Sequence, residues 1–417
     1  MSKVSRASIL ATVVLLGVAT SYKVLTSDLT FSLFAFYSLT VSALVLARFG
    51  LAWKYKPADY PYWQPTVAVV VPAKNEEKVI RDVLHAWAQS DYPRDKFSVL
   101  VIDDGSTDDT WTEIQRAQRE LGTRLQLVPH RFQENGGKRR ALAWGFRATK
   151  SEVIVASDSD SFPEPNALRE IVRPLGDAKV AGVVGHVTVR NPRGFWAKIQ
   201  APWYHMAFRL VKSAESKFGS VICLSGCLAA YRRDMVMPLV DRWENQTFLS
   251  APCTFGDDRS LTRLLLREGF ETVYWKESRA ETVVPDSFRS YWRQQLRWRK
   301  SWLRETWLLS TTSFRRSIGF ALYFLAQTVA GVLGFVVLLR LLVYLPLTGH
   351  MPPFLYLAGL GLVGLVYFAY NGIEEGPQRS LSKYIFGYLL VQSLVLVWLT
   401  PIALLKIREP GWGSRGV

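Results

Sequence analysis

Four times between residues 66 and 160, a short apolar run ends in a cluster of polar residues. Residues 66–71 lead into Pro72-Ala73-Lys74-Asn75-Glu76-Glu77, and residues 98–102 into Asp103-Asp104-Gly105-Ser106-Thr107-Asp108. Residues 125–128 precede a glycine turn, Asn135-Gly136-Gly137-Lys138-Arg139, and residues 152–156 end in Ser157-Asp158-Ser159-Asp160. The runs are rich in β-branched residues and scarcely alternate, as strands buried on both faces should be. Helix-like segments lie between them. Strand and helix in alternation predict a doubly wound α/β sheet, mostly parallel, with its ligand site along the edge where the strands end. No G-x-G-x-x-G follows the first strand, so a dinucleotide fold is the weaker reading. Residues 180–189 read as a further strand.

This α/β region is not the whole chain. Hydrophobic residues make up 49% of the 417, and they crowd the first fifty positions and the last hundred, while the middle carries most of the charge. That pattern predicts a soluble domain inserted between transmembrane helices. Residues 8–24 and 31–53 form a candidate hairpin. Lys3 and Arg6 before it, and Arg48, Lys54 and Lys56 near its end, place both ends in the cytoplasm. Residues 318–345 and 354–370 are further spanning candidates. Residues 384–405 are long enough to cross, but the basic tail beyond them (Lys406, Arg408, Arg415) favours an inside end, so the run is re-entrant, split or flat. Between 291 and 307, tryptophans alternate with arginines and lysines, as in a helix lying in the membrane interface. The expected division is a membrane hairpin at 1–56, a cytoplasmic domain at 57–285, interfacial helices at 286–313 and a channel region with a tail at 314–417. The expected location is the cell membrane, crossed several times.

The net charge of +16 suits a lipid bilayer or an anionic substrate. It also suits nucleic acid, but no nucleic-acid motif is present and much of the charge lies beside apolar stretches. Three cysteines without regular pairing fit a reducing compartment, and their spacing offers no zinc site.

Chemistry concentrates at a few places. Gly256-Asp257-Asp258-Arg259 precedes an apolar helical run, which places a carboxylate at a helix N-terminus, where unpaired N–H groups hold it ionised. Such a carboxylate can take the proton of an attacking hydroxyl; alone, it is as readily a helix cap. Asp158 and Asp160, if the chain turns there, suit Mg²⁺ or Mn²⁺ bridging a diphosphate; otherwise they sit in a solvated loop. Asp104 could accept from a base or ribose, or simply form a turn. Lys138 and Arg139 could meet phosphate, and Asn75 and Glu76 either bond a nucleotide or cap the first helix.

Taken together, the motifs VPAKNE (71–76), IDDGS (102–106), GGKR (136–139), SDSD (157–160), GDDR (256–259) and QQLRW (294–298) resemble the processive family-2 glycosyltransferases, over nearly the whole chain. VGHVTVRN (184–191), NQTF (245–248), CTFGDDRSLT (253–262), QQLRWRKSW (294–302) and WGSR (412–415) are most similar to the hyaluronan synthases among them. Cys227 stands where those enzymes usually carry proline, and Ser414 where they carry threonine. The resemblance implies a GT-A domain that uses UDP-GlcNAc and UDP-GlcA to extend a growing polysaccharide. It implies Asp258 as the catalytic base, and Asp158 and Asp160 as the metal ligands. Ala73, Asn75, Glu76, Asp104, Lys138, Asp158, Arg297, Trp412 and Arg415 would bind the nucleotide sugar. Cys253, Asp257, Gln294, Gln295 and Trp298 would meet the acceptor. A chitin-oligosaccharide or other β-glycan synthase shares the same core motifs.

Overall fold

The computed structural model describes residues 32–53, 55, 59–348, 354–373 and 379–409. The expected first membrane segment, 8–24, and the tail residues Trp412 and Arg415 lie outside them.

Eight strands form one sheet in the order β3-β2-β1-β4-β7-β6-β10-β5. The first half is β1 (Val67–Ala73), β2 (Phe97–Asp103), β3 (Leu127–Arg131) and β4 (Val153–Ala156), all parallel. Every residue of β1 is buried, which its unbroken apolar run anticipates. The second half is mixed. Short β7 (Ala229–Arg232) runs antiparallel to both β4 and β6 (Val180–Val189); β6 pairs in parallel with β10 (Glu271–Thr282), and β5 (Ser161–Pro163) closes the edge antiparallel to β10. Four pairings are thus parallel and three antiparallel, so the sheet is mostly parallel, as expected, and every antiparallel pairing involves β5 or β7, beyond residue 156. The physical reason is local: β7 has only four residues, and the register of β10 shifts between Tyr274 and Arg279, across Lys276-Glu277, which breaks any strand period. Strands β8 (Thr247–Phe248) and β9 (Ala251–Pro252) make a separate small hairpin.

The chain leaves β1 to one side for β2 and to the other for β4, so the ends of these three strands open a crevice at the point of reversal. Ala73, Asp104 and Asp158 all stand on its rim.

Helix Phe288–Ser313 begins at Ser287, whose hydroxyl accepts from the Ser290 N–H, a cap worth about 1 kcal/mol. Lys300, Arg304 and Glu305 are buried, packed toward helix Asp257–Arg267. Trp307 is 70% exposed, whereas Trp302 packs over Gly331 of the next helix.

Among the described residues one helix, Ile318–Leu347, is long and apolar enough to cross a membrane. Its Ile318, Leu322 and Leu325 point away from the protein. The apolar run near the C-terminus is a broken pair, Ser380–Leu394 and Leu396–Leu405, bent by 41°. That geometry matches the split or re-entrant options raised by the basic tail.

Candidate active site

The crevice is lined first by residues that close on one another across neighbouring strand ends. Asp104 is buried, and its carboxylate accepts the N–H groups of Gly136 and Gly137, both at 2.8 Å. Burial raises its pKa, and those two bonds oppose the rise. Asn75 adopts a left-handed conformation (φ 54°). Its N–H donates to Ser106 Oγ at 3.0 Å and its Oδ1 accepts from the Thr107 N–H at 2.9 Å. The Glu76 N–H donates to Thr110 Oγ1 at 2.7 Å. The Asn75 side chain therefore does not cap the helix that starts at Ile80, whereas the Glu76 carbonyl accepts the Val79 and Ile80 N–H groups at its entry, both at 3.0 Å. Asn75 and Glu76 pin the loop after β1 to the loop after β2. Ala73 accepts the Asp104 N–H through its carbonyl at 2.9 Å.

At the end of β4, the Lys138 ammonium pairs with Asp158 Oδ1. Burial pushes the Lys138 pKa down, but Asp158 beside it, with Asp257 and Asp258 adding to the field, pushes it up by more, so the ammonium stays charged. Gly226 closes over this pair: a Cβ there would lie 3.1 Å from Asp158 Oδ1 and 3.3 Å from Lys138 Nζ. Asp160 is buried, and its Oδ1 accepts from Thr282 Oγ1 at 3.4 Å.

The second carboxylate of the site, Asp258, sits in the first turn of helix Asp257–Arg267. Its Oδ1 accepts from the Arg259 N–H at 2.8 Å, and its Oδ2 receives the Cys223 thiol at 3.2 Å. Four residues on, the Cys227 thiol donates to Asp158 Oδ2 at 3.5 Å. A segment from 223 to 227 spans at most about 14 Å between its end Cα atoms, so Asp158 and Asp258 face one cleft. Burial is the main cause that raises both thiols, Cys223 to about 11 and Cys227 to about 12, and the adjacent carboxylates add to it. Neither is a thiolate near neutrality. Arg297, lowered by burial and opposed by Asp158, Asp257 and Asp258, brings a second cation to the same place.

Two expected residues take other roles. Asp257 was read as an acceptor contact and Arg139 as a phosphate contact. Instead Arg139 Nε donates to Asp257 Oδ1 at 2.9 Å, both side chains being buried, and Arg139 also reaches the Trp243 carbonyl and Ser260 Oγ. A guanidinium so enclosed by acceptors is a structural tie, because freeing it to meet phosphate would strand Asp257. Cys253 is buried behind the loop, close to the Arg304, Arg139 and Glu305 charges.

A buried triad holds the loop that carries Asp258. Glu305 accepts from Arg263 and Arg304, each at 2.6 Å, and Arg304 Nη2 donates to the Phe255 carbonyl at 2.6 Å. Gly256 makes the close approach possible: its φ is +72°, and a Cβ would lie 2.0 Å from Ser301 Oγ. From the same helix, Trp298 comes within 6.3 Å, ring to ring, of Tyr204, while Gln295 donates to Gln294 Oε1 at 3.5 Å. Tyr204 also feels Cys227, Asp158 and Arg297, so it belongs to the cleft wall. Sequence reading missed Tyr204, Cys223 and Glu305. No local pattern marks them, since their partners lie 35 or more positions away in the case of Cys223–Asp258 and Glu305–Arg263.

Asp158 and Asp160 supply two hard oxygen donors, and among the described residues no group of three or more His, Cys, Asp or Glu side chains could hold a metal ion by themselves. Two carboxylates fit Mg²⁺ or Mn²⁺, which keep several positions for water and substrate oxygens, better than a metal that needs a full protein cage.

Comparisons with known proteins agree with this architecture. A family model described as glycosyltransferase like family 2 matches residues 65–301. The chain is similar to a hyaluronan synthase of Streptococcus pyogenes, with 29% identity over 385 residues, 91% of this chain and 90% of that protein. It is similar to an N-acetylglucosaminyltransferase of Azorhizobium caulinodans, with 32% identity over 356 residues, covering 84% and 87% respectively. Among solved structures, the mannosyltransferase PcManGT from Pyrobaculum calidifontis, in complex with GDP-Man and Mn²⁺, has a TM-score of 0.59 at 23% identity, covering 87% of this chain and 99% of that one. That likeness is one of fold. With a family match that covers more than half its length and the sheet, crevice and strand-end carboxylates that such a match requires, the chain belongs to the family-2 glycosyltransferases and carries their GT-A domain.

Proposed function

We propose that this enzyme is a membrane-embedded synthase that builds hyaluronan from UDP-GlcNAc and UDP-GlcA, works on the cytoplasmic side, and passes the growing chain outward. The observation that carries the reading is the single cleft shared by Asp158 and Asp258, with Lys138 and Arg297 in the field of both. The apolar helix Ile318–Leu347, packed through Phe320 and Phe324 against Ile222 and Leu266 of the catalytic domain, and the similarity to the streptococcal hyaluronan synthase support the membrane and product assignments.

The chemistry follows from where charge moves. An acceptor hydroxyl attacks the anomeric carbon, the bond from that carbon to the UDP β-phosphate oxygen breaks, and the hydroxyl proton passes to Asp258. One in-line displacement inverts the anomeric centre. Lys138 and Arg297 lie where they can neutralise the charge that develops on the departing diphosphate. Lys138 would exchange Asp158 for phosphate when donor binds. Asp158 and Asp160 would hold Mg²⁺ or Mn²⁺, whose contribution when bound is to neutralise the diphosphate. Ala73, Asn75, Glu76 and Asp104 would receive the nucleoside, and Trp412 and Arg415 would close over it. Trp298 offers its ring to the apolar face of the terminal sugar, with Gln294 and Gln295 for its hydroxyls.

A second reading, a chitin-type synthase that uses UDP-GlcNAc alone, draws on the 32% identity to the N-acetylglucosaminyltransferase. Radiolabelled donors supplied singly and together separate the two. Polymer only when both UDP-sugars are present supports hyaluronan; polymer from UDP-GlcNAc alone overturns it in favour of the second reading.

A further inference from the structure

A cavity of about 270 Å³ lies where helix Phe288–Ser313 gives way to helix Ile318–Leu339. The transfer reaction makes no use of it. Arg267, Arg315, Arg316, Thr312, Ser317 and Phe218 line it, and no carboxylate does. Glu271 belongs to a neighbouring hollow that shares Phe218 and Ser317 with this one.

The three arginines differ. Arg316 is locked into the fold: its guanidinium donates to Ser220 Oγ and the Gly219 and Phe270 carbonyls, each at 2.9 Å, and to the Leu266 carbonyl at 3.3 Å. All four acceptors are neutral, so its charge is fixed in the wall. Arg267 and Arg315 are exposed at the mouth, and among the described residues their guanidinium groups have no hydrogen-bond or ion-pair partner. Glu271 acts on Arg316 from the neighbouring hollow, but three arginines in a lining that holds no carboxylate leave a positive mouth that will attract an anion.

The surroundings say which anion. Phe314, Ile318 and Leu322 are 69%, 74% and 60% exposed, and Trp307, 70% exposed, stands one helix turn or so before the cavity. Large apolar side chains at the foot of a helix that can cross a bilayer mark the level of the lipid headgroups. We propose that this cavity binds the phosphate of an anionic phospholipid from the leaflet that faces the catalytic domain, with Arg267 and Arg315 as its ligands and Arg316 as the fixed charge behind them. The proposal rests on Ile318–Leu347 entering the membrane. A chain that stays soluble without detergent would sink that premise, whereas a membrane-bound chain without lipid preference sinks only the site.

The test uses the full chain in detergent micelles doped with either phosphatidylglycerol or phosphatidylcholine, with retained lipid counted by native mass spectrometry. The parent should retain phosphatidylglycerol in preference. In Arg267→Gln/Arg315→Gln that preference should fall about tenfold, while phosphatidylcholine retention stays unchanged. Arg267→Lys/Arg315→Lys should keep most of it. If the double glutamine change lowers the melting temperature, Arg315→Gln alone, at an exposed position, carries the comparison. Equal phosphatidylglycerol retention by the parent and the glutamine variants overturns the site. Displacement of the lipid by millimolar inorganic phosphate also overturns it, in favour of a site for free anions.

Discussion

The two halves of the cleft are built by different means. On the donor side, each site residue is held by a loop next door: Asp104 by the Gly136 and Gly137 N–H groups, and Asn75 by Ser106 and Thr107. These contacts follow once parallel strands β1, β2 and β3 lie side by side, because the loops then meet at one edge. On the acceptor side, Asp258 is held in place by buried charges from distant parts of the chain. Arg139 reaches Asp257 across 118 positions, and Arg263 reaches Glu305 across 42. The donor half is therefore a product of topology and the acceptor half a product of a desolvated ion network. A network of that kind is costly to bury, and its members are strongly interdependent. The difference also explains why helix Phe288–Ser313, which looks interfacial by composition, turns its charges inward.

Three substitutions would break or sharpen this contrast. The largest effect is expected at Asp258. Asp258→Asn keeps the size and an oxygen for the Arg259 N–H, gives up the bond accepted from the Cys223 thiol and removes the proposed base, so transfer should fall by about 10²- to 10⁴-fold. Sugar incorporation measures the loss, and an unchanged circular-dichroism melt shows that the fold survives. Retained activity would remove Asp258 from the mechanism. Next is Glu305→Ala, which leaves Arg263 and Arg304 buried without their shared partner; it should cost about 3–5 kcal/mol of stability by thermal unfolding. A loss below 1 kcal/mol would mean that water replaces the carboxylate and that the acceptor half is not held by this network. The smallest is Asn75→Ala on the donor side, which loses the two bonds that Oδ1 accepts from Thr107 and puts alanine, which tolerates the left-handed backbone less well than asparagine, at positive φ. It should cost about 1–2 kcal/mol. Asn75→Gly, which relieves the φ but not the lost bonds, should cost less, and the reverse order would contradict the conformational argument.

Much of the donor half was legible beforehand. The first two buried strands are continuous apolar runs, and the residues at their ends, together with Asp158 at the end of β4, gather where alternation of strand and helix says they should. Asp258 was legible too, since a glycine followed by two aspartates before an apolar helix specifies a helix N-terminus. What was not legible had no local signature. The antiparallel strand β7 is too short to show a period, and β10 is interrupted by charge. Asp257 and Asp258 are adjacent and alike in sequence, yet one faces Arg139 and the other the cleft, because successive helix positions point about 100° apart. Cys223, Tyr204 and Glu305 gained their places only when the chain closed.

By itself, the sequence determined the period of each element and the polar groups at its ends, since these depend on residues a few positions apart. Only the tertiary structure decided which charges pair in the interior and which meet in the cleft. That choice turns on desolvation: a buried ion must find its partner in space, and nothing in the spacing along the chain says how near that partner will be.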